Sequence, residues 1–191
     1  MKNKGNAKAQ FSKNLIFQTL MELMEKQPFD KITIQDIANT AMISRQTIYR
    51  NFWKKTDILK IGVEQVVARY MENLQMHTDL SFANIAYLLF STMEDFLPFL
   101  RALNKNRLNS LLTDELFQHI LLIYPKIKKV LFQQYGEELV TQALLFSFGG
   151  FESLLKDWLV SEVRETPEEM KEKFYTFIHL MLDERNQTSD I

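Results

Sequence analysis

Five side chains that can donate hydrogen bonds stand close together near residue 48. They are Arg45, Gln46, Thr47, Tyr49 and Arg50. Ile48 and Phe52 lie four residues apart in the same stretch, so on a helix they share one apolar face and leave the donors on another. Arginine, amide and hydroxyl donors in such an array suit phosphate oxygens and the edges of bases. The stretch therefore predicts nucleic-acid recognition.

A preceding short helix must hold this one in place. Thr33 suits the N-cap of that helix, and Asp36 three residues later gives a pattern like a capping box. Its apolar positions recur at helical spacing: Ile34, Ile37, Ala38 and Ala41. Met42 and Ile43 form the turn, and Ser44 suits the N-cap of the second helix. Two crossed helices with a polar, basic second helix are typical of the helix-turn-helix that enters a major groove.

From about Phe11 to Leu59 the chain resembles the DNA-binding domain of the TetR/AcrR family of bacterial repressors. The segments that carry the resemblance are Thr33-Ile34-Gln35-Asp36-Ile37-Ala38, Ile43-Ser44, Thr47-Ile48-Tyr49-Arg50-Asn51-Phe52 and Lys55. The family usually has glycine at the turn position that Met42 holds here. We expect a helix-turn-helix domain over residues 1–56, with a mobile arm at residues 1–10. Residues 57–191 then form a ligand-binding and dimerisation domain.

The resemblance implies a DNA-binding transcriptional regulator, acting as a dimeric repressor that a small-molecule effector releases from its operator. We expect base-edge contacts from the start of the second helix, namely from Arg45, Gln46 and Thr47. We expect phosphate contacts from Thr33, Ser44, Tyr49, Arg50, Asn51 and Lys55. Two such helix-turn-helix domains (the heads of the dimer), roughly 34–36 Å apart, would read a palindromic operator in double-stranded DNA.

The distribution of charge agrees with a DNA-binding head. The net charge of the whole chain is only -1. Residues 1–60 contain 11 Lys and Arg against 5 Asp and Glu, a balance of +6, which leaves -7 on the remainder. A basic head on an acidic body indicates that the head alone meets a polyanion. Chance clustering of charges on solvated faces is the alternative interpretation of this asymmetry.

Few turn residues and long apolar-periodic segments predict an all-α fold. The chain has only five Gly and four Pro in 191 residues. We expect a first helix from Phe11 to about Lys26 and a linking helix from about Asp57 to Gln75. Further helices should cover about 81–104 with a kink or break at Pro98, 111–123, 125–135, 137–161, and the segment after Thr166.

The last two long helices carry more apolar surface than one neighbour can cover, which favours a homodimer. The expected interface residues are Phe146, Gly150, Leu154, Trp158, Phe174, Phe177, Ile178 and Met181. The pattern Gly149-Gly150, Trp158-Leu159 and Thr166-Pro167-Glu168-Glu169 also resembles the C-terminal domains of one subset of TetR-type regulators. An ordinary intramolecular core is the alternative interpretation of both faces.

The body is rich in aromatic residues and methionine, which suits an apolar cavity for an apolar or aromatic effector. The candidate lining residues are Tyr70, Tyr87, Phe90, Phe96, His119 and Phe148. The same composition also suits an ordinary helical core. A helical protein-interaction module, or a regulator without a small-molecule ligand, is therefore the alternative function.

Several other classes of function have no support in the sequence. Without cysteine the chain has no disulfide, thiolate metal site or cysteine nucleophile. His77, His119 and His179 lie far apart and form no metal-binding motif, and we find no catalytic site, so we expect no metal, no cofactor and no enzyme activity. No apolar run reaches membrane-spanning length and no signal core follows the first lysines. We expect no membrane partner and a cytoplasmic location.

Overall fold

The computed structural model describes the backbone of residues 2–187 and the side chains of residues 7–180. This part of the chain is all-α and contains no β-strand, which confirms the predicted fold class. The helices are α1 (Lys2–Lys26), α2 (Ile34–Thr40), α3 (Arg45–Asn51), α4 (Lys55–Met76), α5 (Phe82–Asp95), α6 (Leu97–Lys105), α7 (Ser110–Ile127), α8 (Lys129–Tyr135), α9 (Glu137–Val160) and α10 (Pro167–Gln187). A short 3-10 helix, η1 (Phe29–Lys31), precedes α2.

The chain forms two compact units. The N-terminal unit holds the residues up to Gln65 together with Pro98–Leu112, and the C-terminal unit holds Val66–Leu97 and the residues from Thr113 onward. Helices α4 and α7 each run from one unit into the other. The compact N-terminal unit is thus larger than the helix-turn-helix segment, because α6 belongs to it. The functional division between residues 56 and 57 stays a prediction.

Three helix boundaries differ from those that the sequence predicts. The first helix begins at Lys2 and not at Phe11, so it includes residues assigned to the arm at 1–10; their role as an arm stays a prediction. The predicted helix over 81–104 is two helices that break at Phe96, directly before Leu97 and Pro98. Pro125 does not begin a helix but lies in the last turn of α7, which ends at Ile127.

A close approach at Gly62 ties α4 to its neighbours inside the N-terminal unit. A methyl group at this position would lie 2.6 Å from Cζ of Phe99 on α6 and 2.9 Å from Cζ of Phe17 on α1. The Phe17 and Phe99 rings pack edge to face with centroids 5.8 Å apart. Only a residue without a side chain fits between these rings, so Gly62 lets α1, α4 and α6 share one core.

The core of the C-terminal unit is a cluster of aromatic side chains on α5, α9 and α10. Phe174 stacks on Phe151 with ring centroids 4.6 Å apart and also contacts Phe82 at 5.6 Å. Trp158 packs edge to face on Phe90 at 5.3 Å. Its indole Nε1–H donates to the Glu165 carbonyl at 2.8 Å. Helix α5 packs along α10, so these rings bury the facing sides of the two helices.

Candidate DNA-binding surface and ligand cavity

The capping box predicted for the first helix of the motif is present. The hydroxyl oxygen of Thr33 accepts from the Asp36 backbone N–H at 3.1 Å, and the Asp36 carboxylate accepts from the Thr33 backbone N–H at 2.8 Å. These hydrogen bonds from Thr33 lower the pKa of Asp36, because they stabilise the charged carboxylate. The Thr33 hydroxyl also donates to that carboxylate at 2.7 Å. Thr33 therefore orients α2 with the same hydroxyl group that is predicted from the sequence to contact a DNA phosphate.

The second helix is capped by its own polar residues. The hydroxyl oxygen of Ser44 accepts from the Thr47 backbone N–H at 3.1 Å, as predicted for an N-cap. The Ser44 and Thr47 hydroxyls lie 3.0 Å apart, and the Asn51 amide donates to the Thr47 carbonyl at 2.7 Å. Ser44, Thr47 and Asn51 thus serve the local structure of α3. Their predicted contacts with DNA stay predictions.

The turn between α2 and α3 has the geometry that usually calls for glycine. Met42 has φ +53°, in the left-handed region that costs a residue with a Cβ about 1–2 kcal/mol. The turn nevertheless closes, since the Ile43 backbone N–H donates to the Ala38 carbonyl at 3.0 Å. The departure from the family pattern at Met42 therefore stores strain and leaves the motif intact. The Met42 side chain is 92% exposed.

Four of the predicted DNA contacts lie free on the outer surface of α3. They are Arg45, Gln46, Tyr49 and Arg50. All four side chains are exposed, and none makes a hydrogen bond or ion pair with a residue that the structure describes. Ile48 is fully buried and Phe52 is 7% exposed, so the opposite face of the helix anchors the donors. This helix presents a surface of unused donors to an external acceptor.

Lys55 is placed differently from the other predicted contacts. Its ammonium group donates to the Phe29 carbonyl and, at 2.6 Å, to the Ile32 carbonyl. It also lies over the Phe29 ring, 4.1 Å from the centroid. Desolvation lowers the pKa of Lys55, although Asp30 and Asp36 oppose this shift. The side chain joins the first residue of α4 to η1, and its contact with a phosphate stays a prediction.

Asn106 holds the same short helix and is not among the residues predicted from the sequence. The side-chain oxygen of Asn106 accepts from the Phe29 backbone N–H at 2.7 Å, while its amide donates to the Ala102 carbonyl at 2.8 Å. Phe29, itself 5% exposed, is therefore held at its N–H by Asn106 and at its carbonyl by Lys55. No local sequence signal pairs residues 29 and 106, which are 77 positions apart.

Comparison with known proteins identifies the motif. Residues 16–60 match the sequence model described as bacterial regulatory proteins, tetR family. This part of the chain is therefore a DNA-binding domain of the tetR type. The TetR transcriptional regulator from Streptococcus agalactiae 2603V has a similar structure, with a TM-score of 0.64 at 20% sequence identity over 93% of this chain and 99% of that chain. This likeness shows the fold. No curated protein sequence matches the chain.

The C-terminal unit of the chain contains an apolar cavity of about 60 Å³. Ten of its lining residues are hydrocarbon or phenyl side chains: Leu74, Phe82, Ile85, Leu89, Ile120, Ile123, Ile127, Leu144, Phe148 and Phe151. The polar lining residues are Tyr70, Tyr124 and Ser147. Burial raises the pKa of Tyr70 and of Tyr124, so both phenols stay neutral at physiological pH. The lining therefore has no formal charge.

Of the six residues predicted for this cavity, Tyr70 and Phe148 line it. Phe90 lies instead against Trp158 and Phe174 in the aromatic core, and Tyr87 lies under the Lys171 ammonium group, 5.7 Å from it. Phe96 is the C-cap of α5. The ring of His119 turns back to the carbonyl of Glu115 at 2.9 Å. Helical periodicity does not say which of two apolar faces lines a cavity. Tyr124, which does line it, is also an aromatic residue with a polar tip, but it was not among the predicted residues.

The residues predicted for the dimer interface divide between the inside and the outside of the subunit. Trp158 and Phe174 are 2% and 3% exposed, so they belong to the subunit's own core. Phe146 is 76% exposed and Gly150 is exposed, whereas Leu154, Phe177 and Ile178 are half-buried. Met181 lies outside the described side chains. Leu139 and Leu145 are also large and exposed on α9, at 56% and 51%.

The described residues contain no group of three or more His, Asp or Glu side chains placed to hold a metal ion. Among the same residues, no helix combines the length and the apolarity that crossing a membrane requires.

Proposed function

We propose that this chain is a TetR-family regulator, a dimeric repressor that reads a palindromic operator through α3 and leaves it when an effector binds. The observation that carries the DNA part is the set of unused donors on α3. Arg45, Gln46, Tyr49 and Arg50 are exposed on a helix whose other face is buried. A surface of this kind complements base edges and phosphates. Because the operator is chromosomal DNA, the regulator would work in the bacterial cytoplasm.

The roles of individual side chains follow from their place on α3. Arg45 and Gln46 stand in the first turn, where side chains of a recognition helix reach base edges, with Thr47 beside them. Tyr49 and Arg50 stand one turn later and suit phosphates, together with Asn51. Thr33 and Ser44 are already used as helix caps, so their contribution to DNA binding is the orientation of α2 and α3.

A pair of alanine variants tests these roles on duplexes selected from a random pool. Gln46→Ala should relax sequence preference at one position of each half-site, at a cost of about 1–3 kcal/mol for each base pair no longer read. Arg50→Ala should weaken binding to all duplexes alike and reduce the slope of log affinity against log salt by about 0.9 for each phosphate no longer neutralised. If both variants weaken binding equally on every sequence with the same salt slope, the assignment is wrong.

The outward face of α9 supports the dimer. Phe146 is exposed beside Ala143, Gly149 and Gly150, and a Cβ at either glycine would meet no atom within 4 Å. A large apolar residue next to residues without bulk lets the backbone of another helix approach closely. A second copy of α9 with α10 would complete a four-helix interface. The resulting dimer would hold one helix-turn-helix domain over each half-site of a palindrome. Light scattering of the eluting protein should give twice the chain mass at micromolar concentration, and a monomer would contradict this.

The cavity supports the effector. The Tyr70 side chain is 2% exposed, it lines the void, and its hydroxyl makes no hydrogen bond with a described residue. This hydroxyl is available to a ligand atom in the cavity, and a hydrogen bond between them would contribute about 0.5–1.5 kcal/mol. A charged ligand would lose its hydration against hydrocarbon walls without a counter-charge. The effector class is therefore a small, neutral, mainly apolar molecule with a hydrogen-bonding atom placed at Tyr70.

Helix α4 offers the route from cavity to DNA. Its residues Tyr70 and Leu74 line the cavity, and the same helix begins at Lys55 in the N-terminal unit. A ligand that binds better when α4 is displaced shifts the equilibrium away from the DNA-binding state, and by no more than its difference in affinity for the two states. Benzyl alcohol and benzoate make a matched neutral and charged pair. A benzene ring needs a cavity of about 150 Å³, so benzyl alcohol should bind only where α4 has moved outward. It should then lower operator affinity and bind more weakly to Tyr70→Phe, whereas tight benzoate binding would contradict the proposed class.

A further inference from the structure

Exposed hydrophobic side chains are concentrated at one place in the N-terminal unit. The large ones among its described residues are Phe11, Met42, Tyr49 and Trp53, and three of these four stand between residues 42 and 53. Trp53 is 94% exposed, the highest value of the four. It makes no aromatic or cation–π contact with a described residue, although tryptophan is normally among the most buried side chains. Its exposure calls for a partner outside the chain.

The local backbone directs Trp53 outward. Helix α3 ends at Asn51, and Phe52 is extended with φ -143° and ψ 135°. The chain then bends at Trp53, and it buries the Phe52 ring at 7% exposure while it leaves the Trp53 ring in solvent at 94%. Trp53 and Lys54 are the two residues between Phe52 and the start of α4. The indole is thus held at the end of the recognition helix by an anchored neighbour.

Two cationic side chains are close to Trp53 in the sequence. Arg50 and Lys54 are exposed, and neither side chain makes an ion pair or hydrogen bond with a residue in the described part of the chain. The one carboxylate shown at this turn, that of Asp57, accepts from the Lys54 backbone N–H at 3.1 Å. An exposed apolar ring with cationic sequence neighbours complements a surface that alternates apolar groups with negative charges. The sugar–phosphate backbone of DNA has this composition.

We propose that Trp53 packs its indole ring against the deoxyribose backbone beside the groove that α3 enters, with its Nε1–H donating to a phosphate oxygen. This inference rests on the DNA-binding function proposed for α3 and adds a contact residue to it. Because the ring has no charge, its contribution does not depend on salt. Trp53 would therefore strengthen binding to every duplex, without preference for sequence and without a change in the number of ions released.

The first test measures affinity for a selected operator duplex at several salt concentrations. Trp53→Ala should weaken binding about tenfold per head, equal to about 1.4 kcal/mol, and leave the salt slope unchanged. Lys54→Met is the matched control from the neighbouring position, and it should reduce the slope by about 0.9 for each phosphate no longer neutralised. Both side chains are exposed, so unfolding curves should stay within about 0.5 kcal/mol of the unmodified protein.

The second test uses the two tryptophans as reporters. The chain has only Trp53 and Trp158, and the latter is 2% exposed. On titration with the operator duplex, the fluorescence emission of the unmodified protein should shift to shorter wavelength, and acrylamide should quench it less. Trp53→Phe leaves only the buried reporter and should show neither change, while keeping more affinity than Trp53→Ala.

The outcomes separate this inference from the DNA-binding function itself. If the unmodified protein binds the duplex while emission and acrylamide access stay unchanged, Trp53 does not contact DNA. A spectral change with anionic phospholipid vesicles but none with duplex would assign the residue to a membrane surface and overturn the inference. If the unmodified protein selects no duplex at all, the function proposed for α3 fails first.

Discussion

The surface around α3 and the outer face of α9 both expose large apolar side chains, but the side chains beside them differ. Around α3, Trp53 and Tyr49 are close in the chain to the exposed cations Arg50 and Lys54. On α9, Phe146 and the neighbouring leucines stand among alanine and glycine. Cations between aromatic rings suit a polyanion, whereas small neutral residues suit the close approach of another helix.

Exposed apolar area therefore indicates the kind of partner only together with the charge and size of the side chains beside it. Phe146 and Trp53 are exposed to a similar degree, at 76% and 94%. Burial alone would class both as interface residues. Charge and size of the adjacent side chains support the proposals that Trp53 meets DNA and that Phe146 meets a second copy of the chain. The following variants test the two proposals against each other.

The largest expected effect belongs to Phe146→Glu on α9. A carboxylate at the centre of an apolar helix contact loses its hydration without gaining a partner, so the dimer should dissociate. Operator affinity should then fall at least about 100-fold, because one head loses the effective concentration that the other provides. Light scattering and duplex titration measure the two effects.

A matched control for this change is available at the end of α4. Met76 is 75% exposed, almost the same as Phe146, but lies on another helix. Met76→Glu should leave a dimer with unchanged operator affinity. Dissociation by both variants, or by neither, would remove α9 from the proposed interface.

Two glycine substitutions separate internal crowding from an open face. Gly62→Ala should destabilise the chain by about 1–3 kcal/mol, because its Cβ would overlap the rings of Phe99 and Phe17. Gly150→Ala meets no atom of its own chain and should gain up to about 1 kcal/mol of helix stability. Urea unfolding in the monomeric Phe146→Glu background measures both, and a gain at Gly62 or a loss at Gly150 would contradict the packing described.

Lys55→Met tests whether this lysine stabilises the helix-turn-helix domain or binds a phosphate of DNA. Its loss leaves the carbonyls of Phe29 and Ile32 without their donor, so stability should fall by about 1–2 kcal/mol. The salt slope of operator binding should stay unchanged. Lys54→Met, one residue away and exposed, should give the reverse pattern. A reduced slope for Lys55→Met at unchanged stability would restore the phosphate contact predicted from the sequence.

The smallest effect is expected at the turn of the motif. Met42→Gly removes the backbone strain at φ +53°, but it also raises the conformational entropy of the unfolded chain. The free energy of unfolding should therefore rise by at most about 1 kcal/mol. Met42→Ala removes the same exposed side chain but keeps the Cβ, and it should gain nothing. Thermal unfolding compares the two, and equal gains would show that the side chain and not the backbone is responsible.

Much of the helix-turn-helix could be predicted because its signals are local. The caps at Thr33 and Ser44 and the buried positions Ile37, Ile48 and Phe52 depend on residues three or four positions apart. The partners of Lys55 were not predictable in the same way. They depend on the path of the chain through η1, which no periodicity encodes.

The cavity could be predicted only in part, for a related reason. An apolar side chain on a helix fills a core or lines a void with the same sequence pattern, so Phe90 and Phe148 look alike in the sequence. Their neighbours in space separate them: Phe90 packs on Trp158, whereas Phe148 faces the void. The tryptophans show the same limit, since the sequence placed Trp158 at an interface where the structure has it in the subunit's core.

The proposed reading of DNA by α3 is tested by selection of bound duplexes from a random DNA pool by the unmodified protein, followed by a salt titration on the selected sequence. We expect a palindrome bound at nanomolar strength, with a large fall in affinity when one half-site is scrambled. Weak binding to every sequence that disappears with salt would mean that α3 is a generic basic surface. That result would contradict the account of a dimeric reader.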